Sequence, residues 1–335
     1  MISGICRSDS NTGRNAHKVQ CSAATFRGML LAASLTSLVI SACHPGAGAP
    51  RASEPAGTKA LEATAPFVPS AGQPTAAPAF VAPTPLSTTQ PTPQQTAPPA
   101  PAVYTPTGYN RLSVPTAAGT FSTYLIKERL TEVRVRTVTA TLTECFSACS
   151  AKPLEQYALE SGAYAAIHGS YFCPPDYALC ASKVNTYDYA VYSSALGAWL
   201  NPRHLVNPRN ALAVWDGSTP TFYRRVSSYG RGPVTAGISN FPLLLQGGAL
   251  SDMSRLDPSQ LVRASRGAIA VDSTFVYLVI VAGASVPEIA LVLQAVGARD
   301  ALNLDGGSSD AMWIGGSYVV GPGRQLPNAI LLLKP

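Results

Sequence analysis

The sequence predicts an α+β fold, a single domain with a mixed β-sheet and a few helices, and two observations carry this. Period-two runs rich in Val, Ile and Thr recur from TFSTYLIKERL and EVRVRTVTATL to GAIAVDS, FVYLVIVAG and NAILLLK. Helical periodicity is confined to KPLEQYALESG and PEIALVLQAV, and these do not alternate strictly with the strands as βαβ units require. A third feature sets the boundary: ahead of Tyr104 the chain is dominated by Pro, Ala and Thr.

The chain has 335 residues, 46% hydrophobic and only 13% charged, which suits a sizeable core. Residues 1–42 read as an export signal, with Arg7, Arg14, Lys18 and Arg27 ahead of the apolar run MLLAASLTSLVI and the small-residue site Ser41-Ala42-Cys43. A helix of that run is about 18 Å long, short of the roughly 30 Å hydrocarbon layer, so it does not read as a permanent membrane span. The string ISAC resembles a bacterial lipobox, with Cys43 as the lipid-bearing cysteine; an ordinary secretory signal is the competing reading, and both export the domain. The expected location is therefore the bacterial cell envelope, lipid-anchored to a membrane and facing the periplasm or exterior.

Removal of residues 1–42 lowers the formal charge from +6 to +3, because four basic residues and one acidic residue leave. Beyond the pair Arg224-Arg225 no Lys/Arg run remains, so no nucleic-acid partner is expected. Residues 43–103 form a Pro/Ala/Thr-rich tether without periodicity, which reads as an extended spacer. Residues 104–335 form the domain. Its cysteines are Cys145, Cys149, Cys173 and Cys180, an even number in an oxidising compartment, so two disulfides are expected with connectivity left open.

Within the domain the first two alternating runs suggest an opening strand pair. KPLEQYALESG reads as a short helix ended by Gly162, and YAAIHGSYF as a buried strand running into a turn. A loop-rich stretch through NPRHLVNPRNALAVW follows. GAIAVDS and FVYLVIVAG then pair around a Ser-Thr turn, and the helix from Pro287 to Val296 stops at Gly297. ALNLDGGSSDAMW carries the chain through a strand into a glycine turn, and SYVVG and NAILLLK close the domain.

The turn is where chemistry concentrates. Asp305 stands at the carboxyl end of a buried strand, directly before Gly306 and Gly307, which let main-chain N–H groups approach a ligand closely. Ser308 and Ser309 add hydroxyls, so the turn suits an anionic or polyhydroxylated ligand, although D-G-G also occurs in plain tight turns.

NLDGG after GARDAL, preceded by PEIALVLQAVGA and RGAIAVD, resembles the carboxyl half of the phosphodiester glycosidase family. AAIHGSYF, FPLLLQGGAL and VVGPGRQLPNAILLL are similar to further segments of it, in order, over about Phe121 to Leu333. The resemblance implies a hydrolase acting on a sugar-1-phosphodiester. It implies Asp305 and Asn303 at the reaction centre, Arg266 on the phosphate with Arg324 as a second cation, and Gly306, Gly307, Ser308 and Ser309 as the ligand-facing turn. It places His168, Gly169, Gln246 and Gly248 in the pocket lining. The sequence departs from the family where a third glycine and a hydroxyl residue are usual, with Ser308 and Asp310, and where His168 replaces the usual asparagine.

The chemistry is consistent with that implication. A phosphate monoester, with a second pKa of about 6, leaves as a stable anion, so the second carboxyl that ordinary glycosidases use as an acid is dispensable. One carboxylate, acting as base or nucleophile, suffices when a guanidinium holds the phosphate. The sequence has no G-x-S-x-G, H-E-x-x-H or P-loop. No cofactor and no metal are expected, with a divalent ion on Asp305 and Asp310 left open. The competing class is a non-catalytic glycan-binding or envelope-organising lipoprotein on the same fold, motivated by His168, Ser308 and Asp310.

Overall fold

The structure is a computed structural model that describes Val103 and residues 105–335. The export signal, Cys43 and all but one residue of the tether lie outside the described residues.

The described residues form mostly β-structure in three sheets. The largest has seven strands in the order Gly108–Thr116, Gly119–Arg129, Phe275–Ala284, Ala264–Val271, Asp300–Gly306, Leu243–Gln246 and Ala249–Leu250. A five-stranded sheet runs Ser317–Val320, Met312–Ile314, Ala165–His168, Asn328–Leu333 and Arg134–Thr139. Another five-stranded sheet runs Ala198–Leu200, Val191–Ser193, Ala236–Asn240, Ala211–Asp216 and Thr219–Tyr223.

The expected mixed sheet is corrected to antiparallel sheets: every pairing among the described strands is antiparallel. Short hairpins explain this, as at Thr116–Gly119 and around Asp272, whose Oδ1 accepts the N–H groups of Thr274 and Phe275 at 2.6 and 2.7 Å. The helix Val286–Ala295 carries the chain from Phe275–Ala284 to Asp300–Gly306. Strand Ala264–Val271 lies between those two strands and pairs antiparallel with each, so they run in the same direction without touching.

Two other expectations change. The opening strand pair is formed by Gly108–Thr116 with Gly119–Arg129, whereas Arg134–Thr139 pairs with Asn328–Leu333 in another sheet. Leu130 and Val133, buried in the intervening bend, anchor that departure in the shared core. The loop-rich stretch contains strands: Ala211–Asp216 is buried except at Asp216 and pairs with Ala236–Asn240.

One core draws on all three sheets through Ile126, Ile167, Ile238, Leu278 and Leu302. Helix Val286–Ala295 seals the other face of the seven-stranded sheet with Ile289, Ala290 and Leu293. It starts in a capping box of Ser285 and Glu288, which satisfies backbone N–H groups at its first turn. Helix Leu154–Ser161 buries Leu154, Tyr157 and Ala158 against Ala166 and Leu331, and ends at Gly162 with φ 65°, a left-handed conformation that favours glycine.

Candidate active site

The seven-stranded sheet and a five-stranded sheet meet where Asp300–Gly306 and Ala165–His168 end. Asp305 N–H donates to the Gly169 carbonyl at 3.0 Å, and the His168 ring nitrogen Nε2 lies 2.9 Å from the Asp305 carbonyl. Glycines make this approach feasible: a Cβ on Gly267 would stand 2.2 Å from the His168 ring, and one on Gly169 would stand 1.8 Å from Asn328 Oδ1. Gly267→Ala is therefore expected to lower stability by about 2–3 kcal/mol, the cost of overpacking a dense core. An unchanged midpoint in urea unfolding would remove the His168 ring as the reason for this glycine.

A cavity of about 700 Å³ opens over that seam, large enough for a drug-sized ligand. Asp305, Gly306, Gly307, Arg266 and Arg324 line it, so the structure brings these predicted residues together. Gly307 has φ 64°, which holds the Gly307–Ser309 turn in a conformation suited to glycine.

Arg266 is buried at the base of strand Ala264–Val271. Its Nη2 donates to the carbonyls of Ser259 and Val262 at 2.7 and 2.8 Å, and its Nε to Ala284 at 3.4 Å. Among the described residues no carboxylate lies within ion-pair distance of it. Backbone carbonyls thus fix the guanidinium without neutralising it, and a buried cation beside a cavity favours an anionic ligand. Arg324 is differently placed: it pairs with Asp176 at 2.7 Å and stands 5.5 Å from the Tyr177 ring centre.

Asp305 carries a carboxyl raised to about 6, first by burial, against hydrogen bonds from Ser309 and from Gly306 N–H and the neighbouring His168. The Gly306 bond measures 2.8 Å. Behind it, fully buried, His168 Nε2 lies 3.1 Å from Asp310 Oδ1. Ala311 N–H donates to His168 Nδ1 at 3.2 Å, which places the neutral ring's proton on Nε2, facing the Asp305 carbonyl and Asp310. Burial lowers the His168 pKa and raises Asp310 to about 7.

Because Asp310 titrates above its unfolded value, its favourable contribution is complete at low pH and is lost as pH rises through about 7. Asp310→Asn should therefore gain stability relative to wild type as pH rises from about 4 to about 7, with the difference level above that. Paired urea titrations across that range check the sign, and a variant that loses ground with rising pH would contradict it.

The remaining predicted residues divide by geometry. Asn303 does not line the cavity; its amide donates to the Tyr171 hydroxyl at 2.9 Å and to the Phe241 carbonyl at 3.0 Å. Gln260 donates to the same hydroxyl at 3.2 Å, so both Tyr171 lone pairs are occupied and its own proton is left to donate. Tyr171 lines the cavity, and burial raises its pKa, keeping it protonated at neutral pH. Nothing along the chain singles it out beyond its place two residues after Gly169.

His168 and Gly169 lie beneath the cavity rather than in its lining, because the close sheet-to-sheet approach buries them. Ser309 is buried and its hydroxyl supports Asp305, while Ser308 is exposed, its carbonyl accepting Arg324 N–H at 2.9 Å. Gln246 and Gly248 are corrected: they belong to the hairpin at the opposite end of the Asp305 strand. Leu245 pairs with Ala301, and Gly247 N–H donates to Asp300 Oδ1 at 2.9 Å. Asp305 lies five residue steps along the strand from Asp300, about 16 Å at about 3.3 Å per step.

The four cysteines form Cys145–Cys149 and Cys173–Cys180, and the second pair closes the loop that brings Pro174 and Tyr177 to the cavity. Among the described residues no three His, Cys, Asp or Glu side chains are grouped as metal ligands.

Comparison with known proteins agrees with this architecture. The family model described as phosphodiester glycosidase matches residues 161–333. The catalytic domain of zebrafish N-acetylglucosamine-1-phosphodiester alpha-N-acetylglucosaminidase, auto-inhibited by its pro-peptide, is similar in fold: TM-score 0.51, 17% identity, covering 71% of this chain and 87% of that one. A hypothetical protein from Synechocystis matches with TM-score 0.48 and 18% identity over 68% of this chain, which spans 62% of that protein's length. No curated protein sequence matches the chain. The family match takes in Asp305, Arg266 and Tyr171 and covers more than half of the chain, so the chain belongs to the phosphodiester glycosidase family.

Proposed function

We propose that the domain hydrolyses the glycosidic bond of a sugar-1-phosphodiester. The observation that carries this reading is the shared cavity of Arg266, a buried guanidinium without a carboxylate partner, and Asp305, a carboxyl poised near neutrality. Arg266 holds the phosphate, whose departure from the anomeric carbon needs stabilisation of charge more than protonation. Arg324 supports it from the Ser309 side, and the Gly306–Gly307 backbone gives close approach.

The balanced reaction is simple. Water adds to the anomeric carbon and yields its proton to Asp305 while the carbon–oxygen bond to phosphate breaks, the electron pair leaving with the phosphate monoester. With Asp305 as nucleophile instead, a glycosyl ester forms first and water then cleaves it. Inversion at the anomeric centre marks the first course and retention the second. Tyr171, donating from a hydroxyl fixed by Asn303 and Gln260, supports the departing oxygen.

Export and lipid anchoring through Cys43 belong to the same proposal and rest on the leader and the ISAC string. They fit the cell envelope, and the mass of the mature amino terminus tests them. The catalytic reading is tested by assaying a panel of sugar-1-phosphodiesters with and without chelator. Release of sugar from at least one member supports it, and no release by folded, disulfide-bonded protein favours the glycan-binding alternative.

A further inference from the structure

Four arginines converge beside the cavity. Arg209, Arg224, Arg225 and Arg255 line a cleft of about 120 Å³ together with Phe241 and Pro242. Asp252 is the acidic group in that cleft, and its Oδ1 already accepts Ser254 N–H at 3.0 Å. Among the described residues none of the four arginines forms an ion pair. Arg209 is positioned by its guanidinium over the Phe241 ring, 5.5 Å from its centre, and by donating to the Arg255 carbonyl at 3.3 Å.

The cleft and the cavity share walls. Asn207, Asn210 and Asp257 face the cavity, while Arg209 and Arg255, from the same two segments, face the cleft. Phe241 joins them: its carbonyl accepts the Asn303 amide beneath the active site, and its ring supports Arg209. Two cationic sites, Arg266 and the arginine cleft, thus flank one ridge.

Resting on the function proposed above, we propose that the cleft binds a further phosphate of the same substrate chain, so that the substrate is a polyanionic glycan with repeated phosphodiesters. A small diester fills the Arg266 site and leaves the cleft without a role. Like charges held together repel one another, and that repulsion is relieved by an anion they share. The planar donor fork of arginine suits a phosphate oxygen pair. Only Arg224-Arg225 is adjacent in sequence, so folding, not a charge run, creates the cluster.

The test uses the full-length protein and a length series of oligo(sugar-1-phosphates) built on whichever sugar the monomeric methyl phosphodiester panel shows to be cleaved. The expected result is kcat/KM rising with the number of repeats. In Arg209→Ala/Arg255→Ala that gain should fall about tenfold while monomer cleavage stays at the wild-type level, as expected for two exposed charge contacts. Raising salt should weaken oligomer cleavage more than monomer cleavage. Equal efficiency for monomer and oligomer, or a length dependence that survives the double variant, overturns the proposal. So does arginine-dependent binding of RNA or anionic lipid vesicles that exceeds binding of the oligomer. If no member is hydrolysed, anisotropy with a labelled oligomer built on N-acetylglucosamine separates the two ideas: binding lost in the double variant keeps the cleft and sinks the glycosidase reading, and absence of binding sinks both.

Discussion

Asp305→Asn is expected to reduce kcat by about 10³-fold or more while leaving substrate binding within a few-fold of wild type, in line with loss of a base or nucleophile. Asparagine preserves the shape and can still accept the Gly306 N–H bond, so the loss is chemical rather than structural. The wild-type enzyme should show an acidic limb in its kcat/KM profile near pH 6, since Asp305 works only when ionised and its carboxyl is raised to about 6. Activity in the variant comparable to wild type, at any pH between 5 and 8, would remove Asp305 from the chemistry.

Arg266→Lys is expected to lower kcat/KM by about 10²-fold or more, the scale of losing one preorganised charge-stabilising donor. Lysine keeps the charge but cannot hold the Ser259 and Val262 carbonyls with one nitrogen while offering another to a phosphate. Inhibition by the product phosphate monoester should weaken in parallel, which separates lost phosphate binding from a general loosening of the site. Arg266→Ala goes further and removes the cation itself along with the donor to those carbonyls. A lysine variant with normal product inhibition would assign the phosphate to Arg324 instead.

The local readings that held are those fixed by neighbours along the chain. The stop at Gly162, the helix with Pro287 in its first turn and the strand running into Asp305 follow from turn chemistry and periodicity. What was illegible depends on pairing between distant segments. Nothing in EVRVRTVTATL announces that Arg134–Thr139 pairs with Asn328–Leu333, and nothing in FPLLLQGGAL shows that its hairpin lies at the Asp300 end of the strand. The cavity was half visible: Asp305, its glycines and Arg266 were read from sequence and family resemblance, but Tyr171 needed the amides of Asn303 and Gln260 in place. His168 and Asp310 stand out as departures in sequence, yet their juxtaposition at 3.1 Å emerges only when two sheets meet over Gly267.

The central claim concerns which bond breaks, and hydrolysis in ¹⁸O-labelled water addresses it directly. A glycosidase places the label on the anomeric carbon of the released sugar and leaves the phosphate monoester unlabelled. Label appearing in the phosphate would mean attack at phosphorus, and the assignment of Asp305 and Arg266 as a glycosidic site would be wrong.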